Sequence, residues 1–212
     1  MKAFIVAGTD TGVGKTVVSA LLTLGLDGAY WKPIQSGIEG GTDRDVVTRL
    51  TGLPSSRFLP ERYRLRHPLS PHHAAELDGI EIDPKDLHLP RDVPAGPLIV
   101  EGAGGVLVPI TRTFLQADLF ARWRTAVILV SRTSLGTINH TLLSLEALQR
   151  RSIPVLGVVF VGESMPDSER TIVEMGGVRR IGRLPILASL TAQTLGQAFM
   201  AHFSLADFEM AP

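Results

Sequence analysis

Cysteine is absent from this 212-residue chain. That single absence excludes disulfides, zinc–thiolate centres and cysteine nucleophiles together, and it fits a reducing, cytoplasmic setting. Net charge is missing as well, because Lys plus Arg total 21 and Asp plus Glu total 21. Nucleic-acid binders carry a broad basic footprint; with none here, nucleic acid is not an expected partner, and any anion must be held by local geometry. No apolar run approaches the roughly 20 residues needed to cross a bilayer, so no membrane partner is expected. Met1-Lys2-Ala3-Phe4 leads straight into an apolar run and leaves no room for a signal peptide. Internal repeats and low-complexity tracts are lacking too. These exclusions leave one expected domain over residues 1–212, long enough to bury roughly 70% of its unfolded surface.

What is present begins at residue 8. The apolar run Phe4-Ile5-Val6-Ala7 empties into Gly8-Thr9-Asp10-Thr11-Gly12-Val13-Gly14-Lys15-Thr16. A strand followed by a Gly-rich loop ending in Gly-Lys-Thr is the layout of a phosphate-binding P-loop. Small residues let consecutive N–H groups curl around a polyphosphate, and the helix that follows turns its partly positive end toward the anion. Lys15 can reach the terminal phosphates, and the Thr16 hydroxyl is placed to ligate Mg²⁺. The first glycine falls one residue early, at Gly8 where the common spacing puts it at Thr9, so the loop is a variant form. A plain strand-to-helix turn would not need both Lys and Thr in register.

Apolar, β-branched runs alternate with helix-period segments along the rest of the chain. Strands are expected at Phe4–Ala7, Ala29–Lys32, Leu98–Glu101, Ala126–Ser131 and Val155–Val161. Several are apolar without alternation, as strands covered on both faces are. Ile138, Leu142, Leu145 and Leu148 form a helical stripe within Ile138–Arg151, and Leu190–Phe203 reads as a second helix. Residues 54–97, rich in proline and charge, read as ordered loops and short helices lying on the sheet. The pattern predicts an α/β protein of the single-domain P-loop NTPase fold, with a mostly parallel central sheet and helices on both faces.

A second constellation is Leu98-Ile99-Val100-Glu101-Gly102-Ala103-Gly104-Gly105, an apolar strand ending in a carboxylate and a glycine loop. Ligands of open α/β sheets collect outside the carboxyl ends of the strands, which would bring Glu101 beside the phosphate loop and a bound Mg²⁺. A charge at the end of so apolar a strand needs a partner. Lys32, in Tyr30-Trp31-Lys32-Pro33-Ile34-Gln35-Ser36-Gly37, leaves the second strand where a cation could stabilise a transferring phosphoryl group, although a solvated lysine at a turn would look the same. Asp43 and Asp45 follow in Thr42-Asp43-Arg44-Asp45. If a helix starts here, residues two apart do not share a face. One of the pair can then point to a metal while the other caps the helix.

Taken in order, these blocks resemble the dethiobiotin synthetase family nearly end to end. Besides the phosphate loop, Lys32-Pro33 with Ser36-Gly37, Ser70-Pro71-His72, Glu101 to Gly105 and Leu135-Gly136-Thr137-Ile138-Asn139-His140 are similar to its successive motifs. The resemblance implies an ATP- and Mg²⁺-dependent reaction. CO₂ joins one amine of 7,8-diaminononanoate as a carbamate, ATP phosphorylates it, and the second amine closes a ureido ring. It implies Lys32, Lys15 and Thr11 as catalytic groups, and Gly12, Val13, Gly14, Lys15, Thr16, Val17, Asp45, Glu101, Gly102, Ala103, Gly104 and Pro185 around ATP. Thr16, Asp45 and Glu101 are its implied metal ligands, with Asp45 the better match over Asp43. Ser36, Leu135, Gly136 and Asn139 are implied for the diamino carboxylic acid. The last three are expected to act across the interface of a homodimer.

One departure matters. Family members commonly carry an Asn-Asp pair that reads adenine where this chain has Val161-Gly162-Glu163. An apolar side chain cannot offer an amide's donor and acceptor together, so weaker discrimination among nucleoside triphosphates is expected. Backbone groups or the Gly182–Pro185 loop are left to hold the base. The competing reading is a P-loop ATPase of the partitioning or cell-division type. Such proteins typically carry an extra lysine early in the loop, where this chain has none between Gly8 and Thr11.

Overall fold

Side chains of the central strands alternate between two apolar layers, and that alternation builds the molecule. In β1 (Ala3–Gly8), Phe4 and Val6 pack into one layer while Ile5 and Ala7 pack into the other. The computed structural model describes residues 2–94 and 96–209. Met1, ahead of the first strand, Ala95, in the 54–97 stretch, and residues 210–212 lie outside them.

After β1 come α1 (Lys15–Gly25), β2 (Ala29–Trp31), β3 (Ile34–Ser36), α2 (Asp43–Thr51), β4 (Phe58–Leu59), β5 (Tyr63–Leu65) and α3 (Pro71–Asp78). The chain continues through β6 (Leu98–Gly105), β7 (Pro109–Thr111), β8 (Phe114–Leu115), α4 (Gln116–Trp123), β9 (Val127–Arg132) and α5 (Thr137–Gln149). It closes with β10 (Val155–Val161), α6 (Pro166–Gly176), β11 (Arg180–Leu184), α7 (Ala192–His202) and α8 (Leu205–Glu209). Seven strands form one sheet in the order β11-β10-β9-β1-β6-β2-β4, every pairing parallel. Helices α1, α2 and α7 cover one face through Val18, Leu21, Val47 and Phe199, and α4, α5 and α6 cover the other through Phe120, Leu148 and Ile172. Among the described residues no helix is long and apolar enough to cross a membrane.

The five expected strands and two expected helices are present, with ends shifted by a few residues. The largest shift is informative. β6 does not end at Glu101 but runs on to Gly105, and its register against β1 slips so that Val6 faces Glu101 while Gly8 faces Gly105. Two edge strands escaped the pattern. β4 is two residues long, too short to show a period. β11 carries Arg180 and Arg183, which an edge strand with one neighbour tolerates. Residues 54–97 are more strand-like than expected: β4 joins the main sheet, and β5 pairs with β3 beneath α3, over a satellite core of Ile34, Leu65, Leu87 and Ile110.

β1 is the centre of the sheet, with β6 on one side and β9 on the other. Its carboxyl end is therefore a topological switch point, where parallel sheets open a crevice for ligands.

Candidate active site

The phosphate loop joins β1 to α1. A Cβ placed on Gly8 would lie 2.8 Å from the Asp10 carbonyl oxygen and 2.9 Å from Val13 Cγ2, so the loop folds back directly over residue 8. The early glycine of this variant loop is thus a steric requirement. Gly14, with φ 99°, takes the left-handed conformation ahead of Lys15, which non-glycine residues rarely adopt. Lys15 is buried, and its Nζ donates to the Asp10 carbonyl at 3.0 Å. Burial lowers its pKa to about 8, against the opposing pull of the Glu101 carboxylate, with nearby Lys32 adding to the depression.

Four charged or hydroxylic groups from separate parts of the chain meet beside this loop. The Thr16 hydroxyl, in the first turn of α1, lies 2.9 Å from Glu101 Oε1 and 3.1 Å from Asp43 Oδ1. Lys32, immediately after β2, donates to Glu101 Oε1 at 3.0 Å and to Asp43 Oδ2. Glu101 is 1% exposed and Lys32 5%, so this is a buried charge cluster. Burial works against the ammonium, but the Glu101 and Asp43 carboxylates outweigh it and raise the Lys32 pKa.

The structure separates the two aspartates and corrects one expectation. Asp45, expected as a metal ligand, bonds to Thr42 rather than to Thr16: its Oδ2 accepts from the Thr42 backbone N–H and hydroxyl, both at 2.8 Å, while the Thr42 hydroxyl accepts from the Asp45 N–H. This is a capping box on α2, and it holds the Asp45 carboxyl below the usual carboxylate range. Asp43, at the first position of the helix, turns toward Thr16 and Lys32. The residues allow one aspartate for each task, and here the cap falls to Asp45 while Asp43 faces Thr16, the reverse of the order that the family resemblance implies. The Thr42-x-x-Asp45 spacing was the available signal, since Ser or Thr followed three residues later by an acid marks such a box.

Sequence reasoning also passed over two glutamines. Gln35 Oε1 accepts from the Asp43 N–H at 3.0 Å, and its amide donates to the carbonyls of Ser36 and Gly37, which ties β3 to the start of α2. Buried Gln116 bridges the Ala103 N–H and the Gly105 carbonyl, so it braces the glycine run of β6. Both bond to main-chain atoms, which carry no side-chain signature in the sequence.

A cavity of about 560 Å³ opens over the cluster. Thr11, Gly12, Gly14, Lys15, Thr16, Val17, Lys32, Ser36, Asp43, Glu101, Ala103 and Gly104 line it, together with the Pro68–Pro71 stretch and Val108. The Ser36 hydroxyl is buried without a hydrogen-bond partner, as a group awaiting a ligand would be. Other expected residues lie elsewhere. The side chain of Val13 packs in the core behind the loop, and Gly102 packs on Gln116 and Phe120. Pro185 follows β11, away from the cavity lining. Leu135, Gly136 and Asn139 are exposed at the start of α5 and do not reach this chain's own cavity. Thr16 Oγ1, Asp43 Oδ1 and Glu101 Oε1 converge as hard oxygen donors, the kind of set Mg²⁺ takes alongside phosphate. Among the described residues no separate cluster of three or more His, Cys, Asp or Glu side chains exists.

A parallel sheet whose central strand feeds a phosphate loop into a helix places this chain among the P-loop nucleotide-binding proteins. The family model described as an AAA domain matches residues 2–194. Apo McdA of Cyanthece shares the fold with a TM-score of 0.53 at 13% identity, over 93% of this chain and 90% of that one. A ParA family ATPase of Chlorobium tepidum TLS scores 0.50 at 11% identity, over 95% and 98%. Similarity at the level of sequence is far more specific. The ATP-dependent dethiobiotin synthetase BioD of Agrobacterium fabrum is 57% identical over 209 residues, 99% of this chain and 98% of that protein. Its counterpart in Novosphingobium aromaticivorans is 57% identical over 208 residues, 98% and 100% of the two chains. The chain belongs to the dethiobiotin synthetase family, and the partitioning ATPases are related to it by fold alone.

Proposed function

We propose that the protein is an ATP-dependent cyclo-ligase that joins CO₂ to 7,8-diaminononanoate and closes the ureido ring of dethiobiotin, releasing ADP and phosphate. One observation carries this reading beyond the family: Lys32 is buried between Asp43 and Glu101 on the wall of a cavity that also holds the phosphate loop and Ser36. Simple nucleotide hydrolysis needs no second polar wall opposite the loop; a second reactant does.

A carbamate is a poor acyl donor until one of its oxygens becomes a phosphate leaving group. The work of the protein is then positioning and charge neutralisation. The main-chain N–H groups of Gly12, Val13 and Gly14 cradle the phosphates, with Lys15 and Thr11 at their outer end. Thr16, Asp43 and Glu101 would hold Mg²⁺, which neutralises charge on the β- and γ-phosphates when bound. Lys32 bridges the carbamate oxygen and the γ-phosphoryl group, so its cation meets the negative charge of both reactants. The carbamate oxygen bonds to the γ-phosphorus as the bond to ADP breaks; the second amine then attacks the carbonyl carbon, and inorganic phosphate leaves. Ser36 contacts the amine end of the substrate, and Ala103 and Gly104 lie along it and the phosphates. Leu135, Gly136 and Asn139, exposed on each chain, reach the carboxylate tail from the partner in a cytoplasmic homodimer.

Purified protein given the diamine, bicarbonate and Mg-ATP should form the cyclic urea, read by mass spectrometry, with one phosphate released per ring closed. Phosphate release without that product would replace this reading with that of an ATPase.

A further inference from the structure

Tyr30 takes no part in the reaction as drawn, yet its phenol is fully enclosed and ends on the charge cluster. The hydroxyl donates to Glu101 Oε2 at 2.9 Å. The other oxygen of the same carboxylate, Oε1, is the one that meets Thr16 at 2.9 Å and Lys32 at 3.0 Å. Glu101 is thus divided between a core-facing oxygen and a site-facing one.

The arrangement follows from strand geometry. Tyr30 and Lys32 are two residues apart at the end of β2, and such residues share one face of a sheet. Both address Glu101 on the neighbouring strand β6, where Tyr30 pairs with Ile99 and Trp31 with Val100. The tyrosine ring is wedged in the apolar layer with Val18, Val47 and Ile99, so it is a rigid anchor. A carboxylate turns broadly about its last bond, and a lysine ammonium, a compact charge, does little to select one orientation. The directional phenol bond does.

We propose that Tyr30 is a positioning residue for Glu101. It pins Oε2 in the core and so fixes Oε1 as the single oxygen that Glu101 turns toward Thr16 and a divalent cation. This rests on the reading of Glu101 as a metal-binding acid. Partners that orient metal ligands typically contribute 10- to 100-fold in metal affinity.

The test is Tyr30→Phe, which keeps the ring and deletes one donor. Mn²⁺ is titrated into protein with ADP and followed by electron paramagnetic resonance, with ADP binding in the absence of metal and thermal unfolding measured alongside. The expected result is metal binding weakened about 10-fold, with metal-free ADP binding unchanged. Unchanged Mn²⁺ affinity with a lowered unfolding temperature would overturn the proposal and leave Tyr30 a packing residue. Glu101→Gln separates the two layers of the argument: if it leaves Mn²⁺ binding intact, the reading of Glu101 fails, whereas a loss there with no effect of Tyr30→Phe fails Tyr30 alone. Should Tyr30→Phe not fold, Glu101→Gln is compared with the double variant, in which the buried carboxylate is gone. A further loss of Mn²⁺ affinity in the double variant would again refute positioning through Glu101; equal affinity is expected.

Discussion

Asp43 reaches the Thr16 hydroxyl across 27 residues of chain, at 3.1 Å, while Asp45, two residues further on, bonds back to Thr42. One acid faces the cluster beside the phosphate loop, and the other caps α2; on the proposed reading only the first holds a metal. Replacing Asp43 by Asn should lower kcat/KM at least about 10²-fold and raise the Mg²⁺ concentration needed for turnover. Asp45→Ala should leave kcat unchanged and cost about 1 kcal/mol of stability, the worth of a helix cap. Steady-state kinetics with urea unfolding on both variants checks the division; the opposite pattern would restore Asp45 to the metal.

Lys32 is the only cation bonded to both site carboxylates among the described residues. Lys32→Ala should therefore reduce turnover about 10²-fold or more and also destabilise the fold. Removing one partner of a buried ion pair leaves uncompensated charge, at a cost of about 3 kcal/mol. A divalent cation can take up the freed carboxylates, so Mg²⁺ should raise the unfolding temperature of the variant more than that of the parent. Full activity in the variant would remove Lys32 from the reaction.

The depressed pKa of Lys15 makes nucleotide binding pH-dependent. In the empty protein its charge is lost as pH rises through about 8. A triphosphate favours the charged amine and raises that pKa, so binding above this pH takes up a proton and weakens as pH climbs. Calorimetry at pH near 8.5 in buffers of different ionisation enthalpy should show net proton uptake, and Lys15→Met should abolish it. The stability of the empty protein moves the other way. Between about 8 and the ordinary value of 10.5 the unfolded chain holds more protons on this residue, so the Lys15 contribution favours the fold increasingly across that window.

Base discrimination should be weak. Val161 packs its methyl groups over Gly14 and offers no polar atom. The main chain of Gly162 is already committed, its N–H to the Leu184 carbonyl at 3.0 Å and its carbonyl to Arg183 Nη1 at 2.9 Å. Little is left there to read a purine edge. Competition among ATP, GTP and CTP should show preferences within about 10-fold, the size of one modest hydrogen bond; a strong preference for ATP would refute this.

Much of this protein was readable along the chain because the relevant physics is local. A phosphate loop is a run of nine consecutive residues, Gly8 to Thr16, whose glycines and terminal Lys-Thr pair are visible as a pattern. Buried parallel strands announce themselves as unbroken apolar runs, and α5 as a stripe. β4 and β11 were hidden for the complementary reason: an edge strand is short or half-solvated and needs no such pattern.

Sequence by itself determined the class of fold, the phosphate cradle and the candidate acids and lysine, since each depends on residue type within a few positions. Only the tertiary structure decided which aspartate meets Thr16, that Glu101 lies inside β6, and that Gln35, Gln116 and Tyr30 bond where they do. Those outcomes depend on where a side chain points once distant strands are in register. A two-residue step at the start of a helix decides whether an acid caps that helix or faces the phosphate loop, without any change in composition.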